Sequence, residues 1–409
     1  MSKEEMLLAE GISYSMDDLE THLNNHLLVV GASGTGKTRG IVTPAILRPS
    51  GSLLISDPKG NLHDRYKGWL EAKGYEVRKL DFTDPAHSDR WDPICYVHGE
   101  TDAVKMAHNI VTAGGSVGTK HMDPFWDESS EMLLTALILY QMEIRGKRRE
   151  KLNQPGLTFP ALNTLIRAGR RGTEFAAGKS LLDTIMKDHP ENSAARRIYD
   201  TVAVSPDRTW DSILITAAAK LRSIDTKDMR QMMSGDDLQI ASLGTKKKAV
   251  FVIVSDTDRS MDYLGNIFFT AAMQELCREA DKNGGRLKVP VRFILDDFAT
   301  NCKIAEFPRM ISSIRSRGIS AALLIQSFSQ LQQGYGEDWR TICGNCDTMV
   351  YLGGSDVNTA EDIAVRLDRP LRDILYMPVG DAWIFRRGSR PAYGKVINPD
   401  RMPEMEEVR

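Results

Sequence analysis

The stretch GASGTGKT, Gly31 to Thr38, satisfies the pattern G-x-x-x-x-G-K-[ST]. An apolar run, HLLVV (His26 to Val30), precedes it and TRGIVTPAIL follows, so it stands between a strand and a helix, as a phosphate-binding loop must. In such a loop Gly31, Gly34 and Gly36 let the backbone N–H groups around Ala32, Ser33 and Thr35 converge on phosphate oxygens. Lys37 would then reach the β and γ phosphates, and the Thr38 hydroxyl would coordinate Mg²⁺. A glycine-rich turn that happens to contain a lysine explains neither this context nor a second stretch, FILDDFAT (Phe293 to Thr300).

Two adjacent carboxylates at the end of an apolar strand need a nearby cation. With a phosphate loop upstream, that cation is Mg²⁺, and ATP is the expected nucleotide. Asp296 takes the metal-associated position, and Asp297 is placed to orient or deprotonate an attacking water. Standing alone, an aspartate at a strand end would read equally well as a helix cap. Asp57 and Lys59, in SDPKG, fall at the carboxyl end of the second apolar run. They form either a tight proline-containing turn or a support around the triphosphate. Asn345, in GNCDT, has the same two readings.

The elements that must position these groups follow a simple grammar. HLLVV, SLLISD (Ser52 to Asp57) and YEVRKLDF (Tyr75 to Phe82), with a helix from about Leu62 to Lys73, predict a βαβαβ opening to a parallel sheet. From about Asp102 to Ser242 the pattern becomes helical, with starts expected near Asp123, Thr158 and Asp207 or Ser205. Strands return from Lys248 onward as AVFVIVSD, VRFILDD, ISAALLIQ, TMVYLGG and AWIFRRG, several ending in polar residues at the edge where open α/β sheets place their sites. The predicted fold class is α/β: a mostly parallel sheet interrupted by an all-α inserted domain. The corresponding domains are 1–98 (first part of the nucleotide-binding domain), 99–245 (all-α) and 246–409 (second part). The tail NPDRMPEMEEVR reads as polar and loose.

With 409 residues and 42% hydrophobic content, the chain has the composition of a globular protein with one large core or two domains. A net charge of -2 gives no global attraction to nucleic acid. The basic runs KRREK (Lys147 to Lys151) and TKKK (Thr245 to Lys248) read as solvated surface. Five scattered cysteines argue for a reducing compartment, and the lone CxxC of Cys343 and Cys346 lacks the second pair that zinc would need. The longest apolar helical run, MLLTALILY (Met132 to Tyr140), is too short to span a bilayer.

Taken in order, GASGTGKT, LLISDPKGNL (Leu53 to Leu62), FILDDFATNCKI, ISSIRSRGISAALLIQSFSQL (Ile311 to Leu331) and ICGNCDTMVYLGGSDVNTA (Ile342 to Ala360) resemble the motifs of the type IV coupling proteins, the TraG-like ATPases of conjugative DNA transfer and type IV secretion. The resemblance implies a RecA-like nucleotide-binding domain and Mg²⁺-dependent ATP hydrolysis. It further implies a homo-hexameric ring that pumps single-stranded DNA or a nucleoprotein, assembled from chains that are monomeric in dilute solution. A relaxase or effector protein and the channel components of the secretion system are the implied partners. The location implied is cytoplasmic, at the inner face of the membrane. By motif position, Gln326 resembles the sensor of the γ-phosphate, and Arg315 the arginine finger that reaches a neighbour's nucleotide, with Arg317 as the substitute.

Two departures stand out. Family members commonly carry N-terminal transmembrane helices, whereas the phosphate loop here begins only 30 residues after Met1, so the anchor is expected to be absent. Asp297 stands where the family usually has glutamate, which draws the carboxylate back by roughly 1.5 Å. Misplacement on the order of 1 Å can cost about 100-fold in rate, so slow hydrolysis is one expectation and an ATP-binding receptor or adaptor with little turnover is the alternative function.

Overall fold

The structure, a computed structural model, describes residues 4–113, 124–151, 157–172, 179–255, 257–300, 302–304 and 306–408; the side chains of 113, 146–151 and 259 are outside the description. Asp123 and the side chains of the KRREK run therefore lie outside the described residues.

Eleven strands are described: β1 Glu5–Ala9, β2 Ile12–Ser15, β3 Leu27–Val30, β4 Ser52–Ser56, β5 Glu76–Asp81, β6 Lys248–Ile253, β7 Val291–Leu295, β8 Ile319–Ile325, β9 Thr348–Tyr351, β10 Asp381–Arg386 and β11 Ala392–Lys395. β1 and β2 form an antiparallel hairpin of their own. The other nine make one sheet in the order β11-β10-β9-β3-β8-β7-β4-β6-β5. From β9 to β6 every neighbouring pair runs parallel, while β10 and β11 are antiparallel additions at one edge. Strands β3, β4, β6, β7 and β9 are buried along their whole length, which is why they read as unbroken apolar runs rather than as alternating ones. The α/β, mostly parallel architecture is thus the one expected from the sequence.

The chain divides into two compact units: Met1–Lys79 with Gln239–Asp256 and Ala272–Arg409, and Leu80–Leu238 with Thr257–Ala271. These boundaries differ from 98/99 and 245/246, and the reason is tertiary. Beyond β5 and a 3-10 turn, Pro85–His87, Arg90 forms a two-pronged ion pair with Asp237, 147 residues further on, at 2.8 and 2.9 Å. Trp91 donates its backbone N–H to Met232 and is enclosed between the rings of Phe82 and Phe268. Both anchors belong to the second unit.

In that unit the described elements after β5 are α-helices and 3-10 turns. The helix Pro124–Lys151 carries Leu133, Leu134, Ala136, Leu137, Ile138 and Leu139 in full burial, so it is apolar all round at its centre and forms the unit's core. Trp210, in the helix Asp207–Lys220, is also fully buried and satisfies its indole N–H on the Gly169 carbonyl at 2.7 Å. A third described helix of this region begins at Ala161, close to the start expected near Thr158.

Three expectations in the first unit are corrected. The TKKK run is not wholly surface: Lys248 begins β6 in complete burial, with its ammonium 3.1 Å from Glu76. Burial pushes the Glu76 carboxyl up, but hydrogen bonds from Lys246, Arg78 and Lys248 outweigh it and hold the pKa at about 2. The tail is ordered by a 3-10 turn, Pro399–Arg401, and a helix, Glu404–Val408, with Met402 and Met405 buried. Finally, β1, β2 and β11 are short strands that were not foreseen, the first two pairing only with each other and the third only at the sheet edge. No described helix is long and apolar enough to cross a membrane.

His26, just before β3, accepts the Ala321 amide on Nδ1 at 3.2 Å inside the sheet. Burial lowers its pKa to about 4, helped by the charge of Arg292. The unfolded chain therefore binds a proton between about pH 6.5 and 4 that the folded chain does not, so stability falls as pH drops through that window. The expected contribution is about 3 kcal/mol. Denaturant midpoints at pH 7 and pH 4.5 should differ less in His26→Gln than in the wild type; an unchanged difference would remove His26 from the acid response.

Candidate active site

Parallel strands bring their carboxyl ends to one edge, and the chemistry-bearing residues follow directly after those ends. The phosphate loop leaves β3, Asp57 follows β4, Asp296 and Asp297 follow β7, and Gln326 follows β8. Neighbouring strands hold the loop in place, since Gly31 donates its N–H to Ile325 and Ala32 to Gly353. Gly34 and Gly36 have φ of +81° and +90°, a conformation that residues with a Cβ rarely adopt. Among the described residues, the N–H groups of Ser33, Gly34 and Gly36 donate to no carbonyl. They are donors in want of an anion.

Lys37 is buried, and its ammonium donates to the loop's own carbonyls of Gly31 (2.6 Å) and Ala32 (3.1 Å). Burial pulls its pKa down, against the opposing pull of Asp296 and Asp297. Thr38 donates its hydroxyl to the Asp296 carboxylate at 2.5 Å, a contact between residues 258 positions apart. Burial raises the pKa of Asp296, partly offset by that hydrogen bond. A hydroxyl and a carboxylate side by side are hard oxygen donors of the kind Mg²⁺ prefers. With the unpaired loop amides and Lys37, they fit a magnesium–nucleotide.

Asp297 bends the chain at the end of β7 with φ of +52°. Its carbonyl accepts from Thr300 at 2.9 Å and its own N–H donates to the Asp296 side chain at 3.1 Å. Aspartate enters this left-handed region more readily than longer side chains, which supplies a backbone reason for Asp at this position. The turn directs the carboxylate toward Gln326, whose Nε2 lies 3.5 Å from Oδ1. Gln326 is in turn tethered by Gln330, which accepts its backbone N–H at 2.9 Å, a partner that the sequence reading did not single out.

Other expected site residues have different surroundings. Asp57 is buried and accepts the N–H groups of Leu62 (2.8 Å) and His63 (3.2 Å), so its carboxylate closes the start of the helix Asn61–Ala72. Burial nevertheless raises its pKa. Lys59 is exposed on the same turn. Asn345 lies before β9, at the opposite edge of the sheet, where its carbonyl accepts the Asn24 amide at 2.9 Å. Arg315 also precedes its strand, β8, and rests on Asp18: its Nη2 donates to the Asp18 carbonyl at 3.2 Å. Arg317 pairs with Asp281 at 3.0 Å. Within one chain, then, neither arginine is brought to Lys37. Burial pushes the Cys343 thiol up to about 12 and raises that of Cys346 well above its ordinary value, so both read as half-buried, protonated thiols.

The tail adds a support for the loop. Val396 packs so closely on the first turn after the loop that a Cβ at Gly40 would lie 2.4 Å from its Cγ1. Arg39 reaches Asn398 at 3.0 Å and pairs with Asp400, and Arg48 pairs with Glu404 at 2.5 Å.

Residues 4–367 match the family described as Type IV secretory system Conjugative DNA transfer. The chain belongs to this family. Among its relatives, the conjugal transfer protein TraG of Escherichia coli is 24% identical over 356 residues, covering 83% of this chain and 54% of that protein. Protein VirD4 of Rhizobium rhizogenes is 23% identical over 346 residues, covering 82% and 48%. The chain thus spans about half the length of the curated relatives it matches. Of solved structures, the unbound bacterial conjugative coupling protein TrwBdeltaN70 superposes with a TM-score of 0.66 at 19% identity, covering 99% of this chain and 93% of that one. Plasmid coupling protein TrwB in complex with ADP and Mg²⁺ gives 0.62 at 20%, covering 93% and 87%. These superpositions show a shared RecA-like fold.

Met405, buried at 1% exposure in the tail helix, should cost about 2–5 kcal/mol when cut to alanine. A fall in the denaturant midpoint at constant slope checks this; an unaffected midpoint would return the tail to a loose segment.

Proposed function

We propose that this chain is the nucleotide-binding part of a coupling protein that hydrolyses ATP to move single-stranded DNA, or a nucleoprotein, through a type IV secretion system. The observation that carries the reading is the meeting of Thr38 and Asp296 beside Lys37, at the carboxyl edge of a parallel sheet. Family membership supports it, as do the nucleotide complexes of a protein with the same fold.

In this reading Lys37 leaves the carbonyls of Gly31 and Ala32 to bind the terminal phosphates, and the free loop amides hold the others. Mg²⁺, held by Thr38 and Asp296, would supply electrostatic stabilisation of charge on the phosphates. Asp297 accepts a proton from the attacking water, and Gln326, within reach of Asp297, positions that water and registers the γ-phosphate. Asp57 and Lys59 act from behind, holding the turn after β4. Because Arg315 lies at the far edge of its own sheet, it serves a nucleotide on a neighbouring copy, which calls for a ring, taken to be a hexamer at work. The unit of Met1–Lys79, Gln239–Asp256 and Ala272–Arg409 forms the motor proper, and the largely helical unit of Leu80–Leu238 with Thr257–Ala271 receives a relaxase or effector. The complex works on the cytoplasmic side, docked to channel components at the membrane.

One observation favours the second reading, a receptor that binds ATP with little turnover: Asp297 is short, and its left-handed backbone resists a longer replacement. ATPase rate with and without single-stranded DNA separates the two. A motor is stimulated by DNA and silenced by Lys37→Ala; absence of hydrolysis under every condition leaves the receptor.

Two expected outcomes follow from the geometry. Asp297→Asn tolerates the same backbone and should keep ATP affinity within a few-fold while lowering turnover by about 100-fold or more. Unchanged turnover would remove Asp297 from the chemistry. For Arg315, mixing Arg315→Ala chains with Lys37→Ala chains should restore part of the activity that each has lost, and failure of any mixture to recover would sink the action on a neighbour's nucleotide.

A further inference from the structure

Strand β7 carries an arginine at its second position, Arg292, with only 4% of its surface exposed. Arginine is almost never buried without an anionic partner. Its Nη1 faces the Asn25 carbonyl at 3.3 Å and the Met16 sulfur at 4.0 Å; its Nη2 faces the Met6 sulfur at 3.2 Å. Thioethers are weak acceptors, so most of the guanidinium's capacity is unused. Among the described residues, no carboxylate forms an ion pair with it. Burial lowers its pKa to about 10, which still leaves it charged at neutral pH. Nearby, the buried Ser50 hydroxyl also donates to a thioether, Met16, at 3.1 Å.

These donors line one cavity of about 70 Å³ together with Arg286 and Arg315. Two acidic residues share the lining. Asp18 is taken up by Arg286, at 2.9 and 3.2 Å, and lies 4.0 Å from Arg315; Glu4 is exposed. Three guanidiniums therefore face one engaged carboxylate, and His26, held neutral beside them, adds no charge. The Arg286 and Arg315 side chains keep 48% and 39% of their surface in solvent, so the charge left in a poorly solvated space is that of Arg292, and it is costly unless an anion joins it.

We propose that this cavity binds a small tetrahedral oxyanion of the size of inorganic phosphate, held by Arg292, Arg286 and the Ser50 hydroxyl. At about 70 Å³ the cavity has room for roughly two waters at about 30 Å³ each, which suits one such ion with little to spare. The planar fork of arginine matches oxyanion geometry, and charge-assisted bonds would replace contacts to sulfur. The cavity lies at the amino end of β7, whereas Asp296 follows its carboxyl end, about 13 Å further along the strand. It is thus a different place from the phosphate loop. Arg315 lines it as well, but oxyanion binding does not depend on the interface role proposed for that residue.

The test uses the Lys37→Ala chain, in which the phosphate loop is disabled as a competing site. Equilibrium dialysis with inorganic phosphate at low ionic strength should find about one ion per chain with a dissociation constant near or below ~1 mM. Adding Arg292→Met should weaken binding about 10- to 100-fold. That chain should fold, because methionine packs against Met6 and Met16 in place of an unpaired buried cation. Arg286→Gln, at the more exposed rim, should weaken uptake too and serves if Arg292→Met fails to fold. Phosphoserine displaces phosphate if the cavity accepts the end of a larger molecule and fails to do so if it takes only the free ion; both results support an oxyanion site. No uptake by the Lys37→Ala chain, or uptake indifferent to both arginine substitutions, would overturn the proposal.

Discussion

The hydrogen bond between Thr38 and Asp296 sets the condition that the rest of the first unit has to meet. Its two ends leave strands β3 and β7, which are not neighbours: β8 lies between them. For the hydroxyl to reach the carboxylate, all three strands must run parallel and end nearly level, and the register achieves this, with Val30 opposite Ile325 and Leu295 opposite Leu323. A one-residue slip of β7 would turn its side chains over and send Asp296 to the other face. Full burial of β3 and β7, and nearly full burial of β8, makes such a slip expensive, so core packing is what keeps the site in register.

The same geometry sorts charge between the two ends of the sheet. At the carboxyl edge stand the buried carboxylates Asp57 and Asp296, with Lys37 as the nearby cation. At the amino edge stand Arg292, Arg315 and Arg286, with Asp18 as the engaged anion. Asp57, Asp296, Lys37 and Arg292 are held off their ordinary pKa mainly by burial, which raises the two carboxyls and lowers Lys37 and Arg292. One edge is thereby prepared for a metal-bound polyphosphate, and the other carries cations that their own chain does not fully neutralise.

Support for the phosphate loop comes from segments distant in sequence. The ends of β8 and β9 receive its first amides, and the tail packs on the turn that follows, through Val396, Asn398, Asp400 and Glu404. The tail's conformation is explained by Met402 and Met405, whose burial anchors a stretch that is otherwise polar. Its composition alone suggested solvent, because two methionines among charged neighbours do not make a helical stripe.

Much of the site was legible in the sequence because its chemistry is local there. GASGTGKT specifies its own backbone through its glycines, and FILDD couples an apolar strand to its terminal carboxylates within a few residues. The grammar of buried strands and helical stripes likewise gave away the α/β sheet and the helical insertion, since periodicity is a property of short windows. Tertiary structure alone decided what depends on partners more than 100 residues away. It chose the order that places β8 between β3 and β7, sank Lys248 against Glu76, and tied Arg90 to Asp237 within the second unit. It also left Arg315 on Asp18 and Arg292 among sulfur atoms. A sequence states which charges a chain carries, but whether each is solvated, paired or stranded is settled only when the core closes around it.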